Sequence, residues 1–236
     1  MNLNFFLPKK IYILFFILFS LTSFDLLAAK RFWVAPNDGS TKYYDDPANW
    51  SNQSGGAGGF SAPVQTDIVE FDSGSSVTCT IRRGAKALQL KLKNNFNGTV
   101  KINNNKTLRI TEHLAIYDGS TLELGNDSQL YTNKKTSYIY NGGTLSAANA
   151  KKVQFYAVLV IQNGGTFSAP SQQTVFKGGF RNSGTLTHNN GTIIFAPKVE
   201  QDYQVVTGGT GTGKEFYNVI KSGKKRFKMN GDMQVN

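Results

Sequence analysis

Glu200 and Asp202 are the nearest thing to a catalytic pair in this chain of 236 residues. Two positions apart on a strand, they would point to one side, and a glycosidase needs two carboxylates facing one cleft. The other acids after residue 76 are sparse, and no Arg or Lys set stands at recognisable spacing beside the pair. Residues 208–215, GGTGTGKE, nearly spell a phosphate-binding loop. Such a loop needs Ser or Thr after its Lys to hold magnesium, and a helix to follow. Here Glu215 follows Lys214 and would repel phosphate, and the next residues are β-forming, so a turn is expected instead. Asp67 and Asp72, with Asn37, Asp38, Asp45 and Asp46, supply oxygen atoms of the kind calcium takes, but they lack the regular spacing of an EF-hand. Solvated turns and Asx caps are the expected use of these acids. The two histidines, His113 and His188, lie far apart, each without a Cys or His at zinc-ligand spacing. No motif calls for a cofactor, and none is expected.

Two further features carry charge or reactivity. Lys221, Lys224, Lys225, Arg226 and Lys228 form a basic cluster that could attract a glycan or another acidic surface polymer. Only Phe227 is interleaved with them, so a nucleic-acid platform is not indicated. The whole chain is basic, with 26 Lys and Arg against 15 Asp and Glu, but the excess is spread along it. Cys79 is the only cysteine, so an intramolecular disulfide is excluded. It falls in step with Val77 and Ile81 and reads as a small buried hydrophobe of a strand.

The elements that must position these residues are strands. After residue 76 short period-two runs recur, among them Leu88/Leu90/Leu92, Leu122/Leu124, Val153/Phe155 and Ile193/Phe195. Period two places such residues on one face of a strand, and no stretch shows a 3.6-residue period over three turns. Asn-Gly, Gly-Gly, Asp-Gly and Asn-Asn pairs punctuate the runs and suit tight turns. Gly or Ser, then Thr, then an apolar residue recurs at Thr99, Thr121, Thr144, Thr166 and Thr185, at spacings of 22, 23, 22 and 19. A period of this size predicts one rung of a parallel β-solenoid, in which equivalent apolar positions stack into ladders and several rungs are needed to bury a core. A hairpin sandwich, with turns every 8–12 residues, is the competing architecture, and Asn141-Gly142 and Asn163-Gly164 would suit it.

The N-terminus predicts export. Lys9 and Lys10 precede an almost wholly apolar run over residues 11–21, and Leu27-Ala28-Ala29 offers a cleavage site after Ala29. Residues 11–29 are close to the length of a membrane span, but Asp25 interrupts them, which favours a cleaved signal peptide over an anchor. The expected organisation is a signal peptide over 1–29, a Trp- and Gly-rich leader or cap module over 30–75, and a solenoid over 76–236.

Two segments carry a resemblance. Phe32-Trp33-Val34, Ala48-Asn49-Trp50-Ser51, the stretch SGGAGG at 54–59, Pro63 and the run DIVEFD at 67–72 resemble the leader of large repetitive bacterial surface proteins. The stretch SGTLTHNNGTIIF at 183–195 and EFYNVI at 215–220 resemble the rungs of their solenoid regions. Where such leaders carry Gly-x-Trp before the second Trp, this chain has Lys42-Tyr43-Tyr44. The resemblance implies an adhesin-like or surface-structural passenger, secreted or at the cell surface, and brings no catalytic residues with it.

The expectation is therefore an all-β protein: a parallel β-solenoid of roughly 19–23-residue rungs, with a small N-terminal β cap. Its expected function is non-enzymatic, structural or adhesin-like. The alternative is a polysaccharide lyase or hydrolase on the same fold, with Glu200 and Asp202 as its first candidates. The rung pattern runs to Asn236 with no capping segment after it. This predicts either a missing C-terminal region or an open edge that pairs with another copy.

Overall fold

The structure is a computed structural model and describes residues 28–198, 204–207, 212–226, 228–230 and 234–235. Among them the only helix is a 3-10 turn at Pro47–Asn49, capped by the Asp46 carboxylate, which accepts from the Ala48 amide. Everything else regular is β, arranged as a parallel β-solenoid of about six turns with a repeat of about 22 residues.

Among the described residues three sheets of ten, seven and seven strands form its sides. One turn shows the path. The chain runs along Gln89–Leu92 on the first sheet, Thr99–Ile102 on the second and Thr107–Ile110 on the third. It then returns to the first sheet as Leu114–Ile116, parallel to Gln89–Leu92 and in register with it. The hairpin alternative is thereby excluded for these strands. Among the described residues the one antiparallel pair sets Trp50–Ser51 against Lys30–Trp33 and covers the N-terminal edge of the first sheet.

The threonine repeat is the register. Thr99 pairs with Thr121, Thr121 with Thr144, Thr144 with Thr166 and Thr166 with Thr185. Because successive side chains alternate, the residue after each Thr points inward, and Val100, Leu122, Leu145, Phe167 and Leu186 form a buried ladder. On the third sheet Phe155, Phe176 and Phe195 stack in the same way, with ring centroids 5.7 Å apart at each step. Cys79 pairs with Val100 and is fully buried; burial pushes its thiol well above the usual value, so it is an inert core residue.

The N-terminal end is filled by aromatic rings. Trp33 and Trp50 meet edge-on at 5.0 Å, both touch Phe71 at 5.6 Å, and Phe71 leads on to Phe96 at 5.0 Å. Both indole N–H groups are satisfied: Trp33 Nε1 donates to the Val77 carbonyl at 2.8 Å and Trp50 Nε1 to the Tyr44 carbonyl at 2.7 Å. Ile68–Phe71, in the sequence region read as leader, pairs with Lys30–Trp33 on one side and Gln89–Leu92 on the other. The core is thus continuous from Trp33 to Phe216.

Candidate functional site

Parallel stacking turns residues one turn apart into neighbours, so the outer faces gather side chains that are about 22 residues apart in sequence. On the first sheet the pairs Leu92–Ile116 and Ile116–Ile139 put the following residues, Lys93, Tyr117 and Tyr140, in one outward column. The ladder continues through them: the Lys93 amide donates to the Phe71 carbonyl, Tyr117 to Leu92 and Tyr140 to Ile116, each at 2.8 Å. The rings of Tyr117 and Tyr140 stack 4.2 Å apart and within 8° of parallel, and Tyr138 lies 5.4 Å from Tyr140. Burial, then the hydrogen bond with Tyr117, pushes the Tyr140 phenol up to about 12. The Tyr140 phenol is therefore a neutral hydrogen-bonding group at ordinary pH.

Beside the lower end of this column, in the neighbouring row with Lys91, lies a buried carboxylate. Glu70 is an outward residue of Ile68–Phe71, yet only 2% of it is exposed. Three ammonium groups surround it, Lys93 at 2.5 Å, Lys91 at 3.8 Å and Lys30 at 3.9 Å. The Lys93 contact reaches Oε2 as an ion pair without hydrogen-bond geometry. Asp72 follows Phe71 as Lys93 follows Leu92, so it precedes Lys93 in the column as a second buried acid. Three cations against two carboxylates leave this corner positive, beside the tyrosines. Lys93, Asn94 and Tyr117 line a shallow open pocket of about 290 Å³. Its floor is fixed, because Phe96, two residues beyond Asn94, is buried against Phe71. The turn is tight: Asn95 and Asn97 take φ of 75° and 46°, which Asn tolerates better than most residues.

Elsewhere on the surface cations lie over tyrosine rings one or two rungs away. Arg82 covers Tyr43 at 3.9 Å and Arg109 covers Tyr131 at 4.4 Å, while Lys177 and Lys198 approach Tyr156 at 4.4 and 4.3 Å. Burial opposes ionisation of Tyr156. The Gln154 hydrogen bond and the two ammonium groups outweigh it and hold that phenol below its usual value.

The sequence candidates fall in different places. Glu200 and Asp202 lie outside the described residues, as do residues 1–27 of the N-terminal signal and 208–211 of the glycine-rich stretch. From the described end of that stretch, Lys214 Nζ donates to the Gly184 carbonyl, and the Glu215 carboxylate accepts from the Gly213 amide at 2.9 Å. Asp67 and Asp72 stand at opposite ends of Ile68–Phe71. Each accepts from a backbone amide, Asp67 from Val64 at 3.0 Å and Asp72 from Gly74 at 2.9 Å. Among the described residues no three His, Cys, Asp or Glu gather as a metal cluster. His188 stacks on Tyr217 at 5.6 Å, and its Nδ1 accepts from the Asn190 amide at 3.0 Å. Lys221, Lys224, Lys225, Arg226 and Lys228 are all exposed and share one corner, between Asn218–Lys221 on the third sheet and Lys228–Asn230 on the first.

Sequence reasoning missed the Lys93–Tyr117–Tyr140 column. A signal was present: Tyr117 and Tyr140 are 23 residues apart, the same interval as Thr121 and Thr144. Comparison with family models, with curated proteins and with solved structures gives no match for this chain.

Proposed function

We propose that this chain is an exported, non-enzymatic surface or extracellular protein of adhesin-like or structural kind, which meets its partner across an outer face of the solenoid. The observation that carries the reading is the column of Lys93, Tyr117 and Tyr140 on a rigid parallel ladder, with positive charge at one end. Groups of this kind, held in line with the solenoid axis, suit an extended polymer lying along the rod. Glycans and acidic surface polymers are the partners this chemistry fits. The charged and apolar N-terminal stretch supports export, and the Trp- and Gly-rich segment resembles the leader of secreted repetitive proteins.

The β-helix is equally compatible with a polysaccharide lyase or hydrolase, since fold does not determine activity. Two measurements separate the readings. Mass spectrometry of the protein secreted from a bacterial host should show an N-terminus at or near Lys30; a membrane-bound product with Met1 intact would defeat the cleavage. Turnover assays on acidic and neutral polysaccharides should show none alongside binding. Cleavage that disappears in Glu200→Gln or Asp202→Asn would replace this reading with the enzymatic one.

A further inference from the structure

The geometry points to the pocket of Lys93, Asn94 and Tyr117 as a subsite for a single acidic pyranose residue of a polysaccharide, an inference that rests on the polymer-binding reading above. One face of the Tyr117 ring is covered by Tyr140, stacked at 4.2 Å and 8°. The neighbour on the other side of the column is Lys93, so the second face of Tyr117 looks into the pocket that Lys93 and Asn94 also line. The C–H-rich face of a pyranose packs on such a ring. Its hydroxyls are matched by the Asn94 amide, which offers both donor and acceptor. Its acid group is matched by Lys93, whose carboxylate partner Glu70 is already shared with Lys30 and Lys91. A ligand carboxylate or sulfate beside Lys93 would offset the excess of the three cations over the carboxylates of Glu70 and Asp72.

Size and rigidity sharpen the assignment. About 290 Å³ is at the lower limit of ordinary ligand pockets, which start near 300 Å³, and fits one ring, not an enclosed oligosaccharide. The pocket is open, so a chain can enter and leave it on either side. Lys93 and Asn94 are held by the buried Phe96 and by the first-sheet ladder, so binding requires little ordering of the protein. Single-stranded nucleic acid fits less well. It needs several aromatic faces for successive bases, whereas among the described residues that line this pocket Tyr117 is the one aromatic.

The test is calorimetric titration of the purified chain with a polyuronate, with dextran sulfate, with neutral dextran and with single-stranded DNA. At least one acidic glycan should bind and neutral dextran should not; the two acidic arms tell a carboxylate from a sulfate. Tyr117→Ala should weaken binding about tenfold and Tyr117→Phe should retain it, as expected for a ring face. Lys93→Gln should weaken it to a similar degree and flatten its salt dependence. Circular dichroism checks the fold of each variant, and Asn94→Ala, an exposed turn position, serves if Tyr117→Ala does not fold. Three results overturn the inference: no acidic glycan binds, DNA competes equally, or binding is lost in the Lys224→Gln/Lys225→Gln double variant and kept in Tyr117→Ala and Lys93→Gln. Adherence of protein-coated beads to cells that persists in Tyr117→Ala would sink this subsite and leave the adhesin-like reading standing.

Discussion

Thr132 and Thr174 occupy inward positions of the third sheet that their neighbours fill with hydrocarbon. Thr132 lies between Ile110 and Phe155, and Thr174 between Val153 and Ile193. Both are buried, and neither hydroxyl has a hydrogen-bond partner. A buried unsatisfied hydroxyl costs about 1–3 kcal/mol, and an apolar group of the same shape avoids that cost. Thr132→Val and Thr174→Val should each stabilise the protein, by about 1 kcal/mol, read as a higher urea midpoint with an unchanged slope. A lower midpoint in both would mean that the hydroxyls are satisfied. His113 sets a pH dependence on the outer face. Burial first, then Lys91 and Lys135, lowers its pKa below the ordinary 6.5, against a smaller opposing effect of Glu112. The unfolded chain therefore takes up this proton first as pH falls. The contribution to stability is complete above 6.5 and is lost as pH drops through the folded value. Chemical unfolding at about pH 7 and about pH 5 should show a smaller difference in His113→Gln than in the parent protein. An identical difference would exclude His113 as its source.

The corners where the first sheet passes to the second are built as a ladder of their own. Gly119, Gly142 and Gly164 all take positive φ, and each sits against an Asx side chain of the preceding turn: Asn97, Asp118 and Asn141 respectively. At Gly142 a Cβ would stand 1.8 Å from Asp118 Oδ1, and φ is +72°, so a side chain there meets both a clash and backbone strain. Gly142→Ala should destabilise by about 1–3 kcal/mol, and pairing it with Asp118→Ala should recover the part due to the clash. No recovery would show that backbone conformation alone matters. These corners explain what the sequence made legible. The threonine interval is readable because each rung repeats one strand position, and alternation, a local pattern, is enough to put residues such as Leu122 and Leu124 on one buried face. Asn141-Gly142 and Asn163-Gly164 suit a hairpin as well as a solenoid corner, since both need a left-handed residue; only the pairing of strands one turn apart distinguishes them. The pocket of Lys93, Asn94 and Tyr117 was hidden for the same reason. Its groups are separated by a full turn, and no local pattern joins them until the register is known. Alternation with Val69 and Phe71 puts Glu70 on the outer face, but its burial comes from the three lysines that close over it, which no local pattern announces.

At the scale of the whole molecule, each turn shares backbone hydrogen bonds with the turns on either side across the three sheets, and one apolar core runs through all of them. Stability in such an array is a sum of rung and interface contributions, so the number of turns that unfold together depends on how strongly neighbours are coupled. The two tryptophans make this measurable. Trp33 and Trp50 are the chain's full complement, both are completely buried, and both lie in the aromatic plug at the N-terminal end. Tryptophan emission therefore reports that end alone, whereas far-UV circular dichroism reports the sheets throughout. With about six turns and three parallel ladders between each pair, the coupling should hold the described solenoid together as one unit. Urea transitions followed by the two signals should coincide. Leu145→Ala tests this from the middle of the stack. Leu145 is fully buried between Leu122 and Phe167, several turns from either tryptophan. Truncating a buried Leu costs about 2–5 kcal/mol, and both transitions should move to lower urea by the same amount. If the dichroism transition moved while the tryptophan transition stayed in place, the N-terminal turns would be a separate folding unit, and the continuous core would not be a cooperative one.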